Sequence, residues 1–139
     1  MKFRQHGMTI VELLIVMVII AVLSAIAFPA YQNQLRKGSR AAAQSLLVNI
    51  ANRQAQYLLD ARNYAVGPTA LGALNVVLPT EVAPFYAVVV ENATGGTTTS
   101  TPPTFRVRAT PVAGTRQEPD GELVLGHDGT KTRAGNPGW

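Results

Sequence analysis

The 139-residue chain has the length of one ordinary domain, and much of its apolar content lies near the N-terminus. It contains no cysteine, which excludes a disulfide-supported fold. The net charge is +4 and falls to +2 when residues 1–7 are left out, so charge alone gives no argument for nucleic-acid binding.

A long apolar segment begins directly after a short basic leader. Residues 1–7 carry Lys2 and Arg4, whereas residues 8–28 contain a single charged side chain, Glu12. As a helix, these 21 residues rise about 30 Å, enough to cross the hydrocarbon core of a bilayer. A charge at mid-membrane costs roughly 2.5–3.5 kcal/mol, so the position of Glu12 predicts a partner for its carboxylate.

The residues of this segment leave several kinds of anchor open. The sequence Ala25-Ile26-Ala27 fits the A-x-A cleavage site of an ordinary secretory signal, but such a signal has no use for Glu12. A plain single-span anchor is a second alternative. Cations flank the segment on both sides, so charge does not decide its orientation: Lys2 and Arg4 precede it, and Arg36, Lys37 and Arg40 follow it.

The helical pattern continues beyond the apolar segment to about residue 62. Pro29 removes one backbone hydrogen bond, which predicts a kink rather than a break. Residues 8–62 therefore predict one helix of roughly 80 Å, apolar all round in its first half and with a single apolar stripe in its second. The predicted stripe consists of Ala43, Leu46, Leu47, Ile50, Tyr57, Leu58 and Ala61.

The rest of the chain predicts an antiparallel sheet. Residues 63–84 contain two glycines and three prolines and predict a connecting loop, and the Thr/Gly/Pro-rich residues 92–103 predict an exposed one. Strands are predicted at 85–90, 104–111 and 122–125. In the second of these, Phe105, Val107 and Ala109 alternate with Arg106, Arg108 and Thr110.

The predicted fold class is α+β, with a long N-terminal helical spine whose outer half packs on an antiparallel sheet of three or slightly more strands. Residues 132–139 show no strand period, and Trp139 is expected to pack on the sheet. Turns are predicted at residues 119–121 and 128–129.

The stretch around Gly7 resembles the N-terminal signature of type IV pilins. A basic leader ends at Gly7 and is followed by Met8-Thr9-Ile10-Val11-Glu12-Leu13-Leu14, with Pro29 and Tyr31 downstream. The likeness covers nearly the whole chain and is nearest to minor pilins of the PilE kind. It implies the type IV pilin fold, with a leader at 1–7, a transmembrane and assembly half of the helix at 8–31, and an α+β head at 32–139.

The resemblance also implies roles for three residues near the N-terminus. A prepilin peptidase would cut between Gly7 and Met8 and methylate the new terminus at Met8, although most pilins have Phe at this position. Glu12, the fifth residue after the cut, would pair with the N-terminal ammonium of an adjacent subunit and set the register of assembly. A protonated Glu12 facing lipid is the alternative.

The resemblance implies a location and partners as well. The protein would be a single-pass inner-membrane protein before assembly and part of an extracellular pilus afterwards, supporting pilus biogenesis, adhesion or twitching motility. Its partners would be other pilin subunits, the prepilin peptidase and the inner-membrane assembly platform. Such pilins usually fasten the C-terminal loop with a disulfide, so here packing and hydrogen bonds, with Trp139 and Asn136 as candidates, are expected to hold it.

No catalytic residue, cofactor or metal site is predicted. His127 stands beside a predicted turn, where a turn residue is a better account than a base. Asp120, Glu122 and Asp128 fit no calcium-loop spacing and are interpreted as exposed turn acids. The chain has no phosphate-binding glycine loop and no nucleophile elbow.

Two further functions stay open beside a structural pilus subunit. One is DNA binding for natural transformation, with a candidate patch of five cations that a merely solvated basic sheet face would equally explain. The other is a pseudopilin of a type II secretion system, which shares the same N-terminus. The candidate patch consists of Arg106, Arg108, Arg116, Lys131 and Arg133.

Overall fold

The computed structural model describes residues 8–139, which form two compact units divided between Leu35 and Arg36. One helix, α1 (Ile10–Ala61, 52 residues), begins in the first unit and ends in the second, and it includes Pro29. The single long helix predicted from the sequence is confirmed. The second unit, Arg36–Trp139, is called the head below.

The first unit consists almost entirely of apolar side chains that its own chain leaves uncovered. Between Met8 and Phe28 every residue is exposed, with Ile10 at 82%. The helix contains a stretch long and apolar enough to cross a membrane. Since no part of residues 8–139 covers these side chains, their burial depends on something else, either lipid or other chains.

In the head, α1 buries a narrower face than the predicted stripe. Ala43, Leu47 and Ile50 are fully buried and Leu46 nearly so, whereas Ala61 is exposed. Including Ala61 in the stripe was therefore wrong, because the helix ends there. Arg62 follows with a φ of 55°, and its N–H donates to the Leu58 carbonyl oxygen at 2.9 Å, a left-handed helix end.

Residues 63–84 contribute to the core and include a short helix, α2 (Ala70–Ala73), so describing them as a connecting loop was incomplete. Ala70 and Val82 are at most 1% exposed. Gln54 of α1 holds the start of this segment, because its amide donates to the Ala65 carbonyl at 2.5 Å and accepts from the Ala65 N–H at 2.9 Å. A buried side chain thereby satisfies both backbone groups of Ala65.

The sheet has five antiparallel strands in chain order: β1 (Tyr86–Glu91), β2 (Arg106–Pro111), β3 (Leu123–Gly126), β4 (Lys131–Arg133) and β5 (Asn136–Pro137). The three predicted strands are confirmed. The last two lie largely in the stretch without a strand period, since strands of three and two residues are too short to establish one.

The inner face of the sheet packs on α1. Phe105, Val107 and Ala109 are buried while Arg106 and Arg108 alternate with them, as predicted. The core also includes Tyr86, Val90, Leu123 and Leu125 from the sheet, and Ala43, Leu46, Leu47 and Ile50 from the helix. The predicted α+β class is thus confirmed.

The loop between β1 and β2 is anchored at one end, contrary to the prediction that all of it is exposed. Asn92 is 7% exposed, and its side-chain oxygen accepts the N–H groups of Thr94 at 3.1 Å and Gly96 at 2.7 Å. Its amide nitrogen donates to the Thr98 carbonyl oxygen at 3.0 Å. One buried amide therefore organises a loop that otherwise has few apolar side chains.

Trp139 packs on the sheet as predicted. Its ring contacts the core cluster, and its indole N–H donates to the Val124 carbonyl oxygen at 3.2 Å. Asn136 contributes through backbone pairing in β5, whereas its side chain is exposed and reaches only the Ala134 carbonyl oxygen at 3.4 Å.

Candidate functional sites

The helix start places Glu12 in the first turn of α1. The Glu12 N–H donates to the Thr9 hydroxyl at 3.2 Å, so Thr9 caps the helix. A threonine followed three residues later by a glutamate has the form of a capping box, and a carboxylate near a helix N-terminus is favoured by the helix dipole. Met8 is 64% exposed, and Gly7 lies outside the described residues. The predicted cleavage and methylation therefore stay predictions.

Asp120 is the centre of a polar cluster in the head. Its carboxylate is buried and forms ion pairs with Arg40 of α1 and Arg133 of β4, the second at 3.1 Å. The Tyr86 hydroxyl donates to it at 2.7 Å and the Gln117 amide at 2.9 Å. The prediction that Asp120 is an exposed turn acid was wrong, because two cations 80 and 13 residues away in the chain meet there.

Burial shifts the pKa values of two groups around Asp120, Arg40 and Tyr86. It lowers the pKa of Arg40 from its ordinary value, and the neighbouring Arg133 charge acts in the same direction. It raises the pKa of the Tyr86 hydroxyl, against the hydrogen bond from Gln117 and the charge of Arg40. The cluster joins α1, β1 and β4, and so helps to hold the C-terminal strands in a chain without cysteine.

The two arginines on β2 are both paired with glutamates. Arg106 donates to the Glu91 carboxylate at 3.0 and 3.1 Å, and Arg108 donates to the other oxygen of the same carboxylate. Arg108 also lies 3.7 Å from the Glu122 carboxylate. These two arginines and two glutamates carry no net charge together.

The other candidate patch residues lie elsewhere. Arg116 stacks on the Phe85 ring at 3.9 Å and donates to the Ser39 hydroxyl at 3.0 Å. Lys131 lies 4.6 Å from the centre of the Trp139 ring, and Arg133 binds Asp120.

Strand register separates the patch residues further. Val107, Leu125 and Lys131 are paired across three strands, as are Ala109, Leu123 and Arg133. Paired residues project to the same face of a sheet, so Lys131 and Arg133 share a face with the buried residues and Arg106 and Arg108 lie on the opposite one. The structure does not bring the five cations into one patch.

The remaining candidate residues are ordinary turn residues. His127 is exposed, and its backbone N–H donates to the Phe105 carbonyl oxygen at 2.9 Å. Asp128 is exposed, and its hydrogen bonds from the Thr130 hydroxyl and N–H lower the pKa of its carboxyl. Among residues 8–139, no group of three or more metal-binding side chains could hold a metal ion.

Comparison with known families agrees with this architecture. A model described as "Prokaryotic N-terminal methylation motif" matches residues 2–28, and one described as "Type IV minor pilin ComP, DNA uptake sequence receptor" matches residues 29–121. The second match spans more than half of the chain. The chain belongs to the type IV minor pilin family. The type IV pilin resemblance stated from the sequence is thereby confirmed.

Individual relatives are pilins and a secretion-system protein. The type IV major fimbrial protein FimA of Dichelobacter nodosus is 37% identical over 94 residues, covering 67% of this chain and 57% of the relative. The prepilin peptidase-dependent protein D of Escherichia coli K12 is 58% identical over 36 residues, or 26% and 25% of the two chains. The type II secretion system core protein G of Dickeya chrysanthemi is 32% identical over 74 residues, or 53% and 48%. The match thus spans at most 57% of these relatives' lengths.

Proposed function

We propose that the protein is a structural subunit of a type IV pilus, and specifically a minor pilin. Before assembly, residues 8–31 hold it in the bacterial inner membrane, and after assembly the same residues pack in the core of an extracellular filament. The observation that carries the proposal is the exposed apolar segment with one carboxylate, on a chain of the minor pilin family. Assembly exchanges lipid contacts for contacts with other apolar helices, so the segment never enters water.

In this proposal, prepilin peptidase cuts between Gly7 and Met8 and leaves an ammonium group at Met8, which it then methylates. The Glu12 carboxylate of one subunit pairs with that terminal charge on its neighbour. Both charges are unfavourable in hydrocarbon, and pairing removes much of that cost. Since the rest of the segment is smooth and apolar, the pair fixes the axial register between subunits.

The test is to replace Glu12 by Ala and to measure the protein in membranes and in sheared pili. We expect Glu12→Ala to remain in the membrane fraction but to enter pili at least about tenfold less, the effect of losing ~1.4 kcal/mol per contact. Ser24→Ala, which removes a neutral polar group from the same segment, serves as the matched control and should assemble normally. Incorporation of Glu12→Ala at the level of the unmodified protein would contradict the pairing.

DNA binding is a second candidate, favoured by the family description "DNA uptake sequence receptor". Because Glu91 and Glu122 offset Arg106 and Arg108, and Asp120 binds Arg133, phosphate contacts fall to Arg116 and Lys131. Two contacts give a logarithmic salt slope of about −2 on duplex DNA.

A gel-shift titration of the mature chain in detergent micelles at two salt concentrations tests DNA binding. Lys131→Gln should reduce the salt slope by about 1, whereas Arg62→Gln, at the exposed end of α1, should leave it unchanged. No retardation at low salt would remove this candidate for the isolated subunit.

A third candidate is a pseudopilin, favoured by the similarity to the secretion system core protein G. The copy number of the protein in purified type IV pili separates the candidates. A few copies per filament agree with a minor pilin, thousands indicate a major one, and absence from pili favours the secretion system.

A further inference from the structure

Four cations lie together at the start of the head and form what we call the basic cluster: Arg36, Lys37, Arg40 and Arg116. Arg36 and Lys37 lie four and three residues before Arg40 on α1, so both are its neighbours on the helix surface. Arg116 joins them by donating to the Ser39 hydroxyl at 3.0 Å. Lys37 is exposed beside Arg36.

The basic cluster contains more positive charge than its acids offset. Asp120 is occupied by Arg40 and by Arg133. Glu118, the other nearby acid in sequence, is exposed and accepts the Gly114 N–H at 2.8 Å. Within residues 8–139, the side chains of Arg36, Lys37 and Arg116 form no ion pair.

Two guanidinium groups of the cluster each have one nitrogen atom without a hydrogen-bond acceptor. In the described part of the chain, the Nε atoms of Arg36 and Arg116 are buried without a partner, although each side chain as a whole is only half-buried. An unsatisfied donor is unfavourable, and a charged acceptor is the partner that stabilises a guanidinium most. An oxyanion bound to the exposed part of these guanidinium groups would supply the charge that the cluster lacks.

The position of the cluster in the chain points to the source of that anion. No lysine or arginine occurs between Met8 and Leu35, so Arg36 and Lys37 are the first cations after the apolar segment. Long cationic side chains next to a membrane span extend to the headgroup level and attract anionic lipids. We propose that the basic cluster binds the phosphate of an anionic phospholipid headgroup while the protein is stored in the membrane. This inference rests on the proposed membrane stage.

Lipid selectivity of the mature full-length chain tests the proposal. The protein is placed in nanodiscs containing equal amounts of phosphatidylcholine and phosphatidylglycerol, and native mass spectrometry measures which lipid it retains. We expect retained phosphatidylglycerol to exceed phosphatidylcholine about fivefold, the effect of one cation near an anionic surface. Arg36→Gln/Lys37→Gln should bring this ratio close to one.

A matched variant separates the basic cluster from general positive charge. Arg53→Gln/Arg62→Gln removes two cations from the same helix further along the chain and should keep the fivefold preference. Equal retention of both lipids by the unmodified protein would overturn the proposal, as would a preference that Arg36→Gln/Lys37→Gln leaves intact. Because Arg36 and Lys37 form no ion pairs in the described residues, loss of folding does not confound the first variant.

Competition distinguishes the lipid from other phosphates. Retained phosphatidylglycerol should survive added inorganic phosphate and a short DNA duplex at the same phosphate concentration. Displacement by inorganic phosphate would show a site for a free anion, and displacement by the duplex would show a DNA surface; either would overturn the lipid assignment. The Glu12→Ala assay in pili is independent, so a failure here leaves the pilus proposal standing.

Discussion

The apolar segment and the head differ in whether their carboxylates have partners within the described chain. Asp120 is buried and has partners from four parts of its own chain. Glu12 is exposed, and within residues 8–139 its carboxylate makes no ion pair or hydrogen bond, only its backbone N–H being held by Thr9. The head therefore pairs its buried carboxylates internally, whereas the segment leaves one carboxylate for another molecule. This contrast fits a subunit whose head has its own core and whose apolar segment gains its contacts on assembly.

Removing the Asp120 carboxylate is expected to reduce the stability of the head more than any other change proposed here. Asp120→Ala leaves Arg40 and Arg133 without their acid, and breaking a buried pair in this way costs about 3–5 kcal/mol. Denaturant unfolding of the mature chain in micelles, followed by Trp139 fluorescence, measures the loss. Asp128→Ala removes an exposed turn acid and should change stability much less. Equal effects of the two variants would mean that the Asp120 cluster does not hold the head together.

Gln54 allows a test with an uncharged side chain, because its amide satisfies buried backbone groups of the head. Gln54→Leu leaves the N–H and C=O of Ala65 without partners, which should lower the free energy of unfolding by about 1–3 kcal/mol. Gln56→Leu, at an exposed position two residues later, is the control. If both variants unfold at the same denaturant concentration, the segment after α1 is held by apolar contacts alone.

Alkaline pH probes the Asp120 cluster through Tyr86. Burial raises the pKa of Tyr86 in the folded state, so the folded protein holds this proton more tightly than the unfolded chain does. The resulting stability is fully present below the ordinary tyrosine pKa of about 10 and is lost as pH rises through the folded-state value. Tyr86→Phe should remove this alkaline fall and lower stability at neutral pH by about 1 kcal/mol. A thermal-unfolding series at several pH values would show an unchanged fall if Tyr86 were not its source.

The most local expected effect concerns the start of α1. Thr9→Val removes the hydroxyl that accepts the Glu12 N–H, and a lost cap costs about 0.5–2 kcal/mol of local helix stability. Amide hydrogen exchange of the mature chain in micelles should become faster at Glu12 and stay unchanged in the head. Thr9→Ser keeps the hydroxyl and should exchange at the original rate. Unchanged exchange in Thr9→Val would show that the cap does not hold this turn.

Local patterns alone predicted the long helix and the three longest strands. Side chains three or four residues apart share a helix face and alternate residues share a strand face, so both elements can be read from short windows of sequence. The signature from Gly7 to Leu14 likewise lies in one stretch, and it led to the pilin family. Strands β4 and β5 were missed because two or three residues are too few to show an alternation.

Only the tertiary structure decided which charged side chains pair with one another. The interpretation of Asp120 as a turn acid considered only its neighbours in the sequence, and the candidate patch grouped Arg106 with Arg133 without knowledge of the strand register. The fold instead joins Asp120 to Arg40 across 80 residues, sets Arg106 and Arg108 against Glu91, and separates the candidate patch between two sheet faces. Ion pairing depends on distances in space, so it follows from strand register and helix packing, which a single sequence without its fold does not reveal.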